Sequence, residues 1–220
     1  MPRMSIRSIR HHRPANPTWD LELERRTILS PDHLPAGLWR CEDIFGRRAP
    51  VEIEIGFGKG RFLIAAAQTW PDRDWLGIEY SPACVALAAE RSAKRGLTNI
   101  RLLRGAAEDI LPAHVDDASV AAYHVYFPDP WPKKRHHKRR LIKPPFAAEL
   151  FRTLEHGGQL HIATDYQEYY EEMLPILSGA GLILADRPDD AQQELFRTNY
   201  EVKFLQQGRQ IHRARFTKPT

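Results

Sequence analysis

The chain has 220 residues, a length that suits one domain or one domain with a short extension. Hydrophobic residues make up 42% of it and only two cysteines are present, so its core needs no disulfide framework. The formal net charge of +4 excludes a strongly acidic protein. No apolar run approaches the roughly 20 residues of a membrane-spanning helix. These features predict a cytoplasmic protein in a reducing compartment, without a membrane anchor.

Residues 1–45 are rich in proline and arginine, lack the apolar stretch of a secretory signal and show little periodicity. We therefore predict an irregular basic N-terminal extension, followed by a single domain over residues 46–220. Within that domain, β-favouring runs predict strands at 51–55, 75–80, 100–103, 120–127, 160–164, 182–184, 200–205 and 210–216. Helices are predicted at 61–70, 82–95, 144–156 and 166–177.

Strands that alternate with helices predict an α/β fold with a doubly wound, mostly parallel sheet and helices on both faces. Ligands of such sheets bind at the carboxyl ends of the strands. The motifs described next all fall at those ends, which predicts one functional edge.

The first motif is a glycine-rich turn after the first strand of the domain, with Gly56, Gly58 and Gly60. Glycines at this spacing let the backbone bend sharply and approach a ligand closely. The dinucleotide fingerprint requires a glycine where Arg61 stands, so a pyrophosphate ligand is disfavoured. Glu79 ends the next strand, where an acid can accept hydrogen bonds from both hydroxyls of a ribose. Glu54, just before the turn, is a candidate partner for an ammonium group.

The second motif follows the predicted strand 120–127 and contains Asp129 between two prolines, with Trp131 beside it. The prolines restrict the backbone, and a fixed carboxylate beside an aromatic face can hold a flat base. Directly after it, residues 133–140 are all Lys, Arg or His. A basic run beside a candidate active site is suited to the phosphates of a large RNA. Its two histidines have no metal-ligand spacing to other residues, so no metal site is predicted.

These stretches resemble the bacterial tRNA (guanine-N7-)-methyltransferases. The matching segments are EIGFGKGRF at 54–62, GIEY at 77–80, FPDPWPKKRHHKRRL at 127–141, ATDYQEYYEEML at 163–174 and RTNYEVKFLQQGRQIH at 197–212. The resemblance implies a Rossmann-like, seven-stranded methyltransferase fold with S-adenosylmethionine as cofactor. It also implies methylation of N7 of the variable-loop guanine at tRNA position 46, with tRNA as the partner. Monomer and homodimer both remain open.

The resemblance also assigns roles to individual residues. Asp129 resembles the family's active-site acid, which also contacts the cofactor. The other implied cofactor-binding residues are Glu54, Gly56, Gly58, Gly60, Glu79 and Ala106. The implied substrate contacts are Lys133, Asp165, Thr198, Asn199, Tyr200 and Glu201. The implied RNA-binding segment consists of Arg135, His136, His137, Lys138, Arg139 and Arg140.

The sequence departs from the family at Ala106, where an Asp or Asn often contacts the adenine end of the cofactor. Either the Ala106 backbone makes that contact or Glu108 or Asp109 substitutes for it. Two other classes of protein were weighed against the methyltransferase. An RNA-binding module with a vestigial cofactor fold predicts broken cofactor residues, yet Glu54 and Glu79 are present. A dinucleotide-dependent dehydrogenase is disfavoured by Arg61. Within methyltransferases, a protein or amino-group substrate stays open on motif chemistry alone.

Overall fold

The computed structural model describes residues 18–29, 37–185 and 198–220. Eight strands of the described residues form one sheet in the order β1-β4-β3-β2-β5-β6-β8-β7. The strands are β1 Ile28–Leu29, β2 Val51–Ile55, β3 Asp74–Glu79, β4 Ile100–Arg104, β5 Val120–Tyr126, β6 Leu154–Thr164, β7 Ile183–Ala185 and β8 His212–Thr217.

The sheet is parallel from β1 to β6, and β8 pairs antiparallel with both β6 and β7. The strand order reverses between β2 and β5, so the carboxyl ends of these two strands flank the crevice in which open α/β sheets bind ligands. The predicted α/β fold with a doubly wound, mostly parallel sheet is confirmed. The sheet has one strand more than the seven expected, because the two-residue β1 adds to the edge beside β4.

Helices cover both faces of the sheet. The helices of the described residues are α1 Leu21–Thr27, α2 Cys41–Phe45, α3 Arg61–Thr69, α4 Pro82–Ala93, α5 Ala107–His114, α6 Pro144–Thr153, α7 Gln167–Gly179 and α8 Asn199–Gln206. One apolar core joins α3 and α4 to β3 and β4, around Trp75. A second core joins α5, α6 and α7 to the opposite face, around Tyr123. None of the described helices is long and apolar enough to cross a bilayer.

The expectation of an irregular N-terminal extension was wrong for its described residues. Asp20 begins α1 by accepting hydrogen bonds from the backbone N–H groups of Glu22 and Leu23, at 2.8 and 3.0 Å. The chain then pairs with β4 through β1. Elements this short leave little periodicity to detect, which is why the sequence pattern missed them. The division of the chain at residue 45 stays a prediction.

The strand predicted at 200–205 was also wrong, because these residues belong to α8. Thr198 caps this helix by accepting a hydrogen bond from the backbone N–H of Glu201 at 3.1 Å. The helix α5 and a 3₁₀ helix at Lys134–Arg139 were not predicted, and β6 begins six residues earlier than expected, at Leu154. Residues 186–190 and 191–197 lie outside the described residues.

Candidate active site

The glycine turn after β2 has the conformation that its glycines predict. Gly56, Gly58 and Gly60 have φ values of 75°, 53° and 72°, in the left-handed region that other residues adopt at a cost. A Cβ on Gly60 would also lie 3.0 Å from the Cβ of Ala88. The turn therefore depends on glycine for both its conformation and its packing.

Glu79 holds this turn against the end of β3. One carboxylate oxygen accepts a hydrogen bond from Gly58 N at 2.9 Å, and the other accepts one from Ser81 N at 2.9 Å. The same carboxylate thus joins the glycine turn to the start of α4. The sequence analysis missed the role of Gly77, whose Cβ would lie 2.5 Å from the side chains of both Phe57 and Leu63. Only a glycine lets the turn pack this closely on β3.

Glu54 is buried beneath the turn, with 3% of its surface exposed. Burial raises the pKa of its carboxyl group to about 8, and the nearby Glu79 adds to that rise. Its Oε2 atom has no hydrogen-bond partner in the described structure. A buried polar atom without a partner is costly, so this carboxyl group is suited to a ligand that supplies a donor.

The loop after β5 carries Asp129 to the same edge. Phe127 and Trp131 have positive φ values of 53° and 44°, and Phe127 N donates a hydrogen bond to Ala163 O at the end of β6, at 2.7 Å. Non-glycine residues in this conformation are strained and often occur at functional sites. The Asp129 side chain is exposed.

Tyr200 lies between the glycine turn after β2 and the Asp129 loop after β5. Burial raises the pKa of its phenol, and the carboxylates of Asp129 and Glu79 raise it further. The Tyr200 ring also lies 4.0 Å from the position that a Cβ on Gly58 would occupy. The structure therefore brings Asp129, Glu79 and Gly58 together around one aromatic ring.

The acids predicted to contact substrate pair with arginines in this structure. Asp165 accepts a hydrogen bond from the Arg209 guanidinium at 2.5 Å, and Glu201 forms an ion pair with Arg213. Glu201 is 6% exposed, within the first turn of α8. The side chain of Asn199 lies outside the described part of the chain. Lys133 is exposed at the start of the 3₁₀ helix.

The basic segment forms the 3₁₀ helix Lys134–Arg139, where Arg135, Lys138 and Arg139 are exposed while His136 and His137 are half-buried. Arg139 lies over the Trp131 ring, 4.9 Å from its centroid. The exposed side chains of Arg135, Lys138 and Arg139 are accessible to a large polyanion.

Arg140 does not fit the RNA-binding role expected for it, because its side chain is fully buried. Its Nε donates to Pro130 O at 2.9 Å, and its other nitrogens bind Glu168 and Glu172 on α7. The guanidinium also lies 4.9 Å from the Tyr169 ring centroid. Arg140 thus ties the Asp129 loop to α7, and it cannot reach a phosphate at the surface without unpacking.

His137, Glu168 and Glu172 place potential metal-ligating atoms within 4.8 Å of one another. Both carboxylates already pair with the Arg140 guanidinium. A cation at this point would have to compete with a buried arginine, so the group is better explained as the anchor of the loop. The expectation of no metal site stays a prediction.

Ala106 precedes α5, and its side chain offers no cap to that helix. Its backbone carbonyl accepts hydrogen bonds from Asp109 N and Ile110 N, both at 3.1 Å. The Glu108 and Asp109 side chains are exposed in the first turn. Which of these groups contacts the adenine end of the cofactor stays a prediction.

Comparison with known proteins decides the family. A family profile described as "Putative methyltransferase" matches residues 48–214. The tRNA (guanine-N(7)-)-methyltransferase of Paracidovorax citrulli is 41% identical over 80% of this chain and 72% of its own length. The enzyme of the same name from Geobacillus kaustophilus is 38% identical over 83% of this chain and 85% of its own length. The chain belongs to the tRNA (guanine-N(7)-)-methyltransferase family.

A solved structure of similar fold is the 16S rRNA methyltransferase KamB, with a TM-score of 0.61. It is 16% identical, and the match covers 81% of this chain and 92% of that one, which establishes the shared methyltransferase fold. Membership of the family makes this protein an S-adenosylmethionine-dependent methyltransferase. The alternatives of a vestigial RNA-binding module and of a dehydrogenase are thereby set aside.

The residues around the glycine turn fit this cofactor. The unpartnered Glu54 Oε2 would accept from its ammonium group, and Glu79 would accept from its ribose. A Cβ on Gly56 would meet nothing within 4 Å, so this glycine faces open space beside the turn.

The structure also contains an open cavity of about 620 Å³. It lies on the same face of the sheet as α3 and α4, over the part that these helices do not cover. Polar side chains of β2, β5, β6 and β8 line it, including Glu52, His124, His161 and Arg215. His124 Nε2 binds Glu52 at 2.7 Å and its Nδ1 binds the Tyr126 hydroxyl at 2.9 Å. The cavity lies beside the candidate site rather than within it, and Glu201 is on its border.

Proposed function

We propose that this protein transfers a methyl group to N7 of the variable-loop guanine at position 46 of tRNA. The observation that carries the proposal is that Glu54, Glu79, Asp129 and Asp165 lie at or just after the carboxyl ends of parallel strands, at one edge of the sheet. Glu201 is near the same edge, because it and Glu54 both act on the Tyr126 phenol. The names of its relatives support a guanine N7 target in tRNA. The basic segment Lys134–Arg139 follows the Asp129 loop directly and supports a polyanionic substrate.

For this methyl transfer, the main task of the protein is to place guanine N7 next to the methyl group of the cofactor. When bound, S-adenosylmethionine supplies a methyl group that its sulfonium sulfur makes electrophilic. Guanine N7 presents a lone pair and carries no proton, so no residue has to act as a general base there. Correct placement of the two reactants contributes roughly 7–11 kcal/mol to such reactions.

Methylation makes the purine cationic, and a carboxylate fixed nearby favours that charge as it develops. The Asp129 loop is held in place by two hydrogen bonds, one from Phe127 N to the backbone of β6 and one from Arg140 Nε to Pro130 O. Asp165 and Glu201 are acceptors for the N1–H and the exocyclic amine of guanine. Their ion pairs with Arg209 and Arg213 orient both carboxylates.

The proposal is tested by incubating the purified chain with bulk tRNA and S-adenosylmethionine labelled in its methyl group. We expect label in 7-methylguanosine, and we expect a transcript with adenosine in place of guanosine 46 to accept none. Label at another base, or in protein rather than RNA, would refute the proposal.

Asp129→Asn separates chemistry from binding. The substitution keeps the shape of the loop but removes its charge, so we expect the single-turnover rate to fall by about 10²–10³ while tRNA affinity changes little. The rate is measured with saturating tRNA and cofactor. A near wild-type rate would restrict Asp129 to shaping the loop. Asp72→Asn, at an exposed acid between α3 and the start of β3, is the matched control for a change of net charge.

A further inference from the structure

A groove between α3 and α4 contains three arginines that the proposed reaction does not use. It has a volume of about 360 Å³, and Arg61, Arg91 and Arg95 line it together with Gly60 and Gln68. Arg61 begins α3, whereas Arg91 lies in the last turn of α4 and Arg95 follows two residues after its end. The arginines therefore approach one groove from two helices.

Within the described residues, no carboxylate forms an ion pair with the three arginines of this groove. Among the described residues, arginines elsewhere commonly pair with carboxylates, as Arg47 does with Asp74 and Arg152 does with Asp117. The side-chain contacts of Arg91 and Arg95 are instead with backbone carbonyls, those of Lys59 and Arg91 respectively, both at 2.9 Å. Among the residues that the structure describes, no acidic side chain lines the groove. An anion is the ligand that such a lining favours.

The lining also indicates which part of an anionic partner would enter. Apart from its arginines and Gln68, the groove is lined by Gly60, Ile64 and Ala65 and has no aromatic ring on which a base could stack. Guanidinium groups without a stacking surface contact phosphates and fix position without reading sequence.

The position of the groove connects it to the candidate site. Gly60 belongs both to the groove and to the cofactor-binding turn, and Arg91 binds the backbone of Lys59 within that turn. The helices α3 and α4 that form the groove pack on β3 and β4, whereas the basic segment Lys134–Arg139 follows β5. In the sheet these strands lie on opposite sides of β2, the strand that ends in the glycine turn.

We propose that the α3–α4 groove is a second phosphate-binding surface, which holds the backbone of the same tRNA whose guanine is methylated. This rests on the proposed function. Two separated contacts would fix the orientation of a large RNA better than the basic segment alone.

The test uses the full chain and an unmodified tRNA transcript, with binding measured by fluorescence anisotropy from 50 to 300 mM KCl. For R61Q/R91Q/R95Q we expect about tenfold weaker binding near physiological salt. We also expect the slope of log affinity against log salt to fall by about two units, since each lost phosphate contact removes about 0.7–0.9. The double variant R61Q/R95Q keeps the Arg91–Lys59 contact, and we expect its slope to fall by one to two units.

The matched control is R61K/R91K/R95K, which keeps the charge and should retain most of the wild-type slope of log tRNA affinity against log salt. Calorimetric titration with S-adenosylhomocysteine checks that the cofactor-binding turn is intact in each variant. If the glutamine variants keep wild-type tRNA affinity and slope, the groove binds another anion or none, and the proposal is wrong. If R61Q/R95Q loses cofactor binding with no change in salt slope, the arginines are structural and the proposal is also wrong. If the wild-type chain itself fails to bind tRNA, the proposed function fails first, which is a distinguishable outcome.

Discussion

Glu54 shows at the scale of one residue how the fold prepares a ligand contact. Burial holds its pKa at about 8, so the carboxyl group is mostly neutral at pH 7 in the free protein. The sequence predicted the contact from the position of Glu54 before the turn. It did not predict the altered pKa, because that depends on burial in the folded structure, which a backbone hydrogen bond from Leu63 offsets only in part.

This pKa leads to a prediction for cofactor binding. Pairing Glu54 with an ammonium group requires the ionised carboxylate, so binding below pH 8 should release a proton. We expect the affinity for S-adenosylhomocysteine to rise as the pH rises from 6 towards 8. Glu54→Gln should bind more weakly, by an amount on the order of 1.5–3 kcal/mol, and should lose this pH dependence.

Calorimetric titrations in buffers of different ionisation enthalpy measure the released proton directly. Glu171→Gln, at an exposed acid of α7, is the matched control and should behave as the wild type does. A wild-type affinity that does not change between pH 6 and 8 would contradict the role of Glu54.

At the scale of elements, the clearest error of sequence analysis is the strand expected at 200–205. Tyr200, Val202 and Phe204 alternate with polar residues, as in a half-buried strand. The segment is helical instead, because Thr198 caps the first turn of α8. The helix places Tyr200 and Phe204 on one side, with ring centroids 6.0 Å apart. Both rings lie beside Phe127, at 6.5 and 5.5 Å. Tertiary packing of an aromatic cluster outweighed a weak local pattern.

The basic segment was predicted as one element, but the structure divides it by burial. Exposed residues such as Arg135 and Lys138 stay available to phosphates, whereas Arg140 joins the Asp129 loop to Glu168 and Glu172. Sequence could not separate them, since consecutive basic residues carry no sign of which one packs inward.

Arg140→Lys should therefore lower turnover without acting on RNA affinity. A lysine keeps the charge but cannot bind Pro130 O and both glutamates as the guanidinium does. We expect a loss of tenfold to a hundredfold in single-turnover rate, on the order that follows from misplacing a catalytic group. The slope of tRNA affinity against salt should stay unchanged.

R135A/K138A is the contrasting variant and should lower both tRNA affinity and that slope, by up to about 0.9 for each lost contact. If Arg140→Lys lowers the slope as much as this variant does, Arg140 contacts phosphate and the assignment as an anchor is wrong.

At the scale of the whole molecule, the two faces of the sheet differ in a way that strand periodicity only partly predicted. The face towards α5, α6 and α7 carries one apolar core, whereas the other face becomes polar beyond β2 and opens into the cavity beside Glu201. The sequence predicted the fold correctly and pointed to the candidate functional edge, because both depend on local turns and strand ends. The polar face depends on the register that aligns β5, β6 and β8, as when His124 lies opposite His161.

This polar face should make the fold sensitive to acid. Burial and the neighbouring His124 lower the pKa of His161 to about 3, well below the value of an unfolded histidine. Between pH 6.5 and 3 the unfolded chain therefore binds a proton at His161 that the folded chain excludes, so this histidine lowers the free energy of unfolding as the pH falls. A single such group contributes a slope of up to about 1.4 kcal/mol per pH unit.

His161→Gln should remove this contribution, so its slope of unfolding free energy against pH between 6.5 and 4.5 should be lower than the wild-type slope by up to about 1.4 kcal/mol per pH unit. Both proteins carry an opposing slope from Glu54, because its raised pKa of about 8 lets the folded chain bind a proton that the unfolded chain releases. The slopes are measured by urea unfolding at a series of pH values. The window closes at pH 4.5 because Glu52 adds its own dependence below it. Burial raises the pKa of Glu52, but the hydrogen bond from His124 and the ion pair with Arg73 outweigh this and hold it at about 2. His156→Gln, at an exposed histidine of the same strand, is the control and should keep the wild-type slope. Equal slopes for wild type and His161→Gln would mean that His161 takes up its proton in the folded protein as readily as in the unfolded chain.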